Sequence, residues 1–310
     1  MNADEALSKR VQHAFDDLLL VQSEVQCSAL YGVGRQEFIQ RCLDRCTRHL
    51  GAPSARAQED TAGVSQDFGL DWAQARQRVQ QVCLIGLAGR ISCGKDTLAD
   101  MLVQEHGYRK MAFADPLKDF CSRLYDVDRS WFDDRSTKER PLPDEPRWQQ
   151  LRSPADPSQR PTPRQLAQVV GTECVRSICG DFWVRRAVVG MLQAQSQSPG
   201  VLKVVIPDAR FENEARAVLE FGGRMLEIVR PDKALDAGAH NAYSKQHASE
   251  QGIGNVPRTV IDNSGTLQDL ARHASQVHAD TWATLLLRQL PEMPYREART
   301  GRSFSFQPGR

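Results

Sequence analysis

Residues 82–107, VCLIGLAGRISCGKDTLADMLVQEHG, set an apolar run, a glycine-bearing turn and an amphipathic stretch end to end. The run VCLIG (82–86) has the continuous apolar character of a strand buried on both faces. In DTLADMLVQEHG (96–107) Leu98, Met101 and Leu102 share a face and Gly107 closes the segment, which predicts a helix with a C-terminal stop. A buried strand that passes at once into a helix belongs in a parallel sheet covered by helices.

The rest of the chain keeps this rhythm. YRKMAF (108–113), VLKVVIPD (201–208), GRMLEIVRP (223–231) and RTVIDN (258–263) read as four more strands. Helical patterns fall at 116–125, 162–178, 182–194, 211–221 and about 266–290. The fold class expected is α/β: a parallel five-stranded sheet with helices on both faces, its crossovers right-handed. That domain spans 81–290.

Ahead of it, residues 1–50 read as a helical hairpin. Leu7, Val11, Ala14, Leu18, Val21 and Val25 form one apolar stripe, YGVG (31–34) breaks it, and a second helix from Gln36 to about Leu50 turns Phe38, Ile39, Cys42 and Cys46 inward. The stripe packs on the main domain or on another copy of the chain, which leaves a homodimer open. Residues 51–80 are expected to act as a linker. Residues 126–163 are proline-rich and charged, and a loop of that length is functional or disordered. Its lysines and arginines suit a flexible lid or acceptor-binding insertion; a disordered surface insertion is the other reading. Residues 291–310 are expected to be a mobile tail.

Forty basic and 39 acidic residues nearly cancel, so bulk charge does not call for a nucleic-acid or membrane partner. No apolar run reaches the length of a membrane span, and MNADEALSKR lacks the order of a signal peptide, so a cytoplasmic location is expected. The eight cysteines form no CxxC pair. Cys42, Cys46 and His49 do not match a common zinc spacing and suit a helix face.

The turn itself carries chemistry. Gly89, four residues, then Gly94 and Lys95 fit the phosphate-binding pattern G-x-x-x-x-G-K, and a strand before and a helix after give the context it needs. The glycines let the backbone N–H groups of Ser92, Cys93 and their neighbours turn inward, the helix presents its positive end, and Lys95 adds a mobile charge. The next residue is Asp96 where Ser or Thr is usual, with Thr97 one place late. A carboxylate beside phosphates calls for a cation between them, and Mg²⁺ is the natural one; capping the helix is the structural alternative.

Downstream, Asp208 and Arg210 emerge from the end of the strand KVVIPD, where open parallel sheets bind ligands. Arg210 can clamp a phosphate, and Asp208 can hold magnesium through water, orient an acceptor or simply pair with Arg210. Trp183 either stacks a base or fills the core. Arg164, Arg176, Arg185 and Arg186 lie on two helical patterns, some toward phosphates and some toward solvent. Lys118, after Pro116 near a helix start, sits against the dipole unless an anion is present.

GRISCGKDTLAD with FADPLKD (113–119) resembles the phage-type deoxynucleoside monophosphate kinases. TPRQLAQVVGTECVR (162–176), DFWVRRAV (181–188), VVIPDARFENEA (204–215), IVRP (228–231), HASEQG (247–252) and DNSGTLQDL (262–270) continue the resemblance in order over about 82–270. It implies a P-loop kinase that moves the γ-phosphoryl of ATP to a nucleotide's 5′-phosphate. Gly94, Lys95, Asp96 and Thr97 would then hold ATP and Mg²⁺, with Asp96 and Thr97 on the metal. Lys118, Gly171, Thr172, Trp183, Asp208, Arg210 and Glu214 would build the acceptor site, with Arg164, His247 and Glu250 near it, and Lys95, Asp208 and Arg210 would serve the transfer. Phage members carry basic residues where this chain has Ile91 and Ser92, which puts the identity of the acceptor in question. A kinase acting on a hydroxymethyl pyrimidine within DNA is the alternative, and a non-catalytic nucleotide-binding module is a third reading.

Overall fold

A computed structural model of the chain describes residues 3–19, 33–51, 72–134, 136–231 and 247–289. Val21, Val25, most of the expected linker and the expected tail lie outside the described residues.

The sheet has five parallel strands: β1 (Cys83–Ala88), β2 (Arg109–Lys110), β3 (Lys203–Ile206), β4 (Arg224–Val229) and β5 (Thr259–Asp262), in the order β2-β3-β1-β4-β5. β1 lies at the centre with all six residues buried, as its unbroken apolar run requires. The segment 108–113 supplies only two strand residues, because Phe113 and Ala114 are drawn away into hydrogen bonds with Asp208.

Helices cover both faces. On one side α4 (Lys95–His106) and α9 (Leu267–Gln289) bury Leu98, Leu102, Leu270 and Val277 against Ile85 and Leu87. On the other, α3 (Trp72–Val79), α7 (Phe182–Ser196) and α8 (Glu212–Glu220) bury Val79, Val188, Met191 and Val218 against Leu84 and Val204. Helix α3 lies within the stretch expected to be a linker; Ala75 and Val79, one turn apart, give it a face to bury. The helices that follow β1 and β3 therefore lie on opposite faces. The crevice between the ends of these two neighbouring strands is the switch point of the sheet, the place where open α/β sheets bind ligands.

A third core stands beside that crevice. α5 (Asp115–Tyr125), α6 (Pro163–Gln168) and the wider π-helical segment Val169–Arg176 that continues α6 pack with α1 (Ala3–Leu19) and α2 (Arg35–Leu50). Phe15, Leu18, Phe38, Ile39, Cys42, Cys46 and Leu50 from α1 and α2 share this core with Leu117, Phe120, Val170, Cys174, Phe182 and Trp183. Ala14 and Leu18 of the N-terminal stripe are thus covered by the chain's own helices beside the crevice. Arg35–Asp16 joins the two helices to each other, and Arg123–Asp17 joins α1 to α5. Cys42 and Cys46 face inward and His49 faces solvent, so these three do not converge. Residues 126–163 fold back with Phe132, Leu142, Trp148 and Leu151 buried in the same core, and the Trp148 indole donates to the Tyr125 carbonyl at 2.8 Å.

Candidate active site

The loop between β1 and α4 is shaped by positive backbone angles. Gly89 (φ 136°) and Gly94 (φ 106°) lie in the left-handed region, and Ser92 joins them at φ 61°. Side chains are excluded at both glycines for a second reason. A Cβ on Gly89 would meet the Ile228 carbonyl oxygen at 2.4 Å, and one on Gly94 would meet Asn263 Nδ2 at 2.3 Å. Gly94 is the N-cap of α4 and no side chain caps the helix. Leu98 N–H, bonded to the Gly94 carbonyl at 3.0 Å, closes the first helical turn. The amides before it lack intrahelical acceptors, so the helix opens onto the loop with its positive end bare.

Lys95 folds back over this loop. Its Nζ donates to the carbonyls of Gly89 and Arg90, both at 2.7 Å, and it makes no salt bridge among the described residues. Burial holds the Lys95 ammonium below its ordinary pKa, the Cys93 thiol opposes that shift, and the nearby Arg210 charge adds to it. Asp96 does not cap the helix. It is exposed and faces Lys110 at 3.5 Å, and Thr97 beside it is also exposed.

Asn263 completes the loop. It follows β5, its own N–H bonds the Val229 carbonyl at 2.8 Å, and its side-chain Nδ2 donates to the Cys93 carbonyl at 2.8 Å. The motif DNSG placed an asparagine after a strand, but only the strand order brings that strand end beside the loop.

Across the switch point lies a pocket of about 190 Å³. One water needs roughly 10–15 Å³, so the space is ligand-sized. It brings together Lys118, Arg164, Gly171, Thr172, Trp183, Asp208, Arg210 and Glu214, from four separate stretches of sequence. Phe113, Leu117, Phe132 and Phe211 supply apolar walls, and Arg176 and Lys138 add charge. Arg185 and Arg186 are not among its lining residues. The loop 207–211 joins the pocket to the β1–α4 loop, because Ala209 N–H bonds the Leu87 carbonyl at the end of β1, at 3.2 Å.

Several charged groups in the pocket have fixed partners. Asp208 does not pair with Arg210; it accepts from the Phe113 and Ala114 amides at 2.9 and 3.0 Å and pins the start of α5 to the end of β3. Glu214 accepts from the Arg210 and Phe211 amides at 2.9 and 3.2 Å and pairs with Arg176, whose guanidinium lies 3.8 Å over the Phe211 ring. Burial raises the Glu214 carboxyl to about 7, against the pull of Arg176 and the two amides. Asp115 is also raised, by burial first, with Lys118 opposing and Asp208 reinforcing. Lys118 answers the dipole question through Asp133 at 2.8 Å and Asp115 at 3.9 Å.

Trp183 is buried against Phe182 and donates its indole N–H to the Gly171 carbonyl at 3.1 Å, so it forms a fixed wall of the pocket. Glu250 lies one ion pair outside the lining and joins Arg210 and Arg164, the latter at 3.2 Å. His247 is buried, with Nε2 3.1 Å from Glu173 and Nδ1 2.9 Å from the Ser249 hydroxyl; it anchors the turn that carries Glu250.

No protein-family model matches the chain. A protein of Acanthamoeba polyphaga mimivirus, provisionally described as a deoxynucleotide monophosphate kinase, is 32% identical over 162 residues, covering 49% of this chain and 77% of the viral one. No helix among the described residues is long and apolar enough to cross a membrane.

Proposed function

Because the chain belongs to the nucleotide kinase family of that viral protein, we propose that it transfers the γ-phosphoryl group of ATP to a deoxynucleoside 5′-monophosphate, giving the diphosphate. The observation that carries this reading is the meeting of two cation-bearing sites at one switch point. The bare helix end with Lys95 faces the crevice from β1, and the arginine-lined pocket faces it from β3.

The donor's phosphates would lie on the loop 89–97, held by backbone N–H groups and by Lys95. Phosphoryl transfer needs alignment and charge neutralisation more than covalent help. Lys95 would leave its two carbonyl partners for the β- and γ-phosphates. Arg210, reaching from the shared loop, would neutralise charge between donor and acceptor. Asp208 acts through structure: by binding the Phe113 and Ala114 amides it fixes α5, and with it Leu117 and Lys118. Trp183, Phe113 and Phe211 would enclose the acceptor and keep water out.

Asp96 and Thr97 fit a magnesium ion by their chemistry. They offer a carboxylate and a hydroxyl, both open to solvent beside the loop, and Mg²⁺ takes few protein oxygens and keeps several waters. When bound, the metal would neutralise phosphate charge and orient the transferring group.

The test is labelled ATP with Mg²⁺, offered to each of the four free deoxynucleoside monophosphates and, separately, to DNA bearing hydroxymethylated pyrimidines. Label on a free nucleotide is expected, and label on DNA alone would refute the reading. Lys95→Ala is expected to lose orders of magnitude in turnover while remaining folded; near-normal turnover would remove the loop from the mechanism.

A further inference from the structure

Lys118 and the three arginines that line the pocket are each neutralised from within the protein. Lys118 meets Asp133, Arg164 meets Glu139 and Glu250, Arg176 meets Glu214, and Arg210 meets Glu250. An incoming dianion must therefore displace a carboxylate before it can be held by two guanidinium groups.

These carboxylates are not equally exchangeable. Glu214 is buried and receives two backbone N–H groups, so its place is set by the chain itself. Glu139 meets Arg164 at 2.5 Å and does not join it to Arg210. Glu250 receives no backbone N–H among the described residues and stands at the end of the short turn Ala248–Glu250. Its Oε1 alone receives both Arg164, from α6, and Arg210, from the loop after β3. An oxygen on which forks from two separate elements converge is held as a phosphoryl oxygen would be. The point lies on the pocket side, since Arg164, Arg210 and Ser249 all line it.

We propose that Glu250 is an internal surrogate for the acceptor's phosphate. In the ligand-free protein its carboxylate keeps Arg164 and Arg210 converged, and a dianionic phosphate takes its place by offering more charge to the same two forks. A nucleoside without phosphate has nothing with which to displace it, so Glu250 sets a charge threshold for entry. His247, tied to Glu173 and Ser249, holds the turn so that exchange needs only the Glu250 side chain to swing.

The naming of the acceptor rests on the kinase reading; the exchange of one anion for another does not, and the experiment separates the two. Inorganic phosphate is titrated into ATP-free wild type and Glu250→Gln, with the melting temperature as readout, since a ligand bound to the folded state raises it by mass action. The expected result is an apparent phosphate affinity about tenfold tighter in E250Q, lost again in the double variant R164Q/E250Q. Phosphate binding to E250Q that is equal to or weaker than wild type would overturn the proposal and leave Glu250 as a strut that positions the arginines. If E250Q does not fold, Glu250→Asp, which keeps the charge and shortens the reach, is measured in its place; a smaller tightening is expected, and none would again overturn the proposal. A wild type that phosphorylates none of the four monophosphates would refute the acceptor assignment while the phosphate shift still reads the exchange.

Discussion

Asn263→Ala tests whether the proposed phosphate loop, residues 89–97, is held open from β5. The wild-type side chain donates to the Cys93 carbonyl at 2.8 Å and stands where any Cβ on Gly94 would have to go, 2.3 Å from its nitrogen. Removing it strands a buried carbonyl, which costs about 1–3 kcal/mol. It also opens space beside a residue at φ 106°, so the loop can relax away from the conformation that turns its amides inward. The strand pairing of β5 with β4 does not involve this side chain, so the cost should fall mainly on the loop. If all of it appears in nucleotide binding, ATP affinity drops roughly 5- to 150-fold. Asn263→Asp should be worse, because it removes the donor and sets negative charge beside the anion site. Calorimetric titration with ATP and Mg²⁺, with urea unfolding as a parallel measure of stability, gives both numbers. ATP affinity within twofold of wild type in a folded N263A protein would show that the loop holds its shape unaided.

Other expectations follow from the pocket and its backing. Glu214 titrates near 7 when folded and near 4.5 when unfolded, so the folded state binds the proton more tightly and stability should fall as pH rises through that window, by up to about 1.4 kcal/mol per unit. Urea unfolding across pH 4–8 should show the fall in wild type and a flatter curve in Glu214→Gln. Gly171→Ala places a methyl 2.6 Å from Leu117 Cδ2 and should push that side chain into the pocket, raising acceptor KM while KM for ATP stays put; steady-state kinetics with each substrate varied decides it. Phe38→Ala empties a site packed on Phe182 at 5.3 Å between ring centroids and should cost about 3–5 kcal/mol, seen as a lowered urea midpoint.

What could be read from the sequence was whatever depends on local period and local turn chemistry. The alternation of apolar runs and amphipathic stretches located all five strands to within a few residues, since a strand buried on both faces has little freedom in composition. Lys95 was legible because strand, glycines and helix are contiguous. The partners of Asp208 and Arg210 were not: that pairing is settled by Phe113, Ala114 and Glu250, which lie far away in sequence and meet only once the strand order is known. The same holds for Asn263. The widened turn in 162–178 was also hidden, because a π-helical segment differs from an α-helix by one residue per turn and the apolar spacing tolerates both.

Leu117 and Trp183 each have one side in the pocket and the other in the core that α1 and α2 complete. Selection on substrate preference therefore has a second place to act. In a screen for altered acceptor choice, some hits should map to Phe15, Leu18, Phe38, Cys42, Cys46 and Leu50, none of which lines the pocket. A chimera that grafts this pocket onto a relative without those two helices would carry the contacts and lose their alignment.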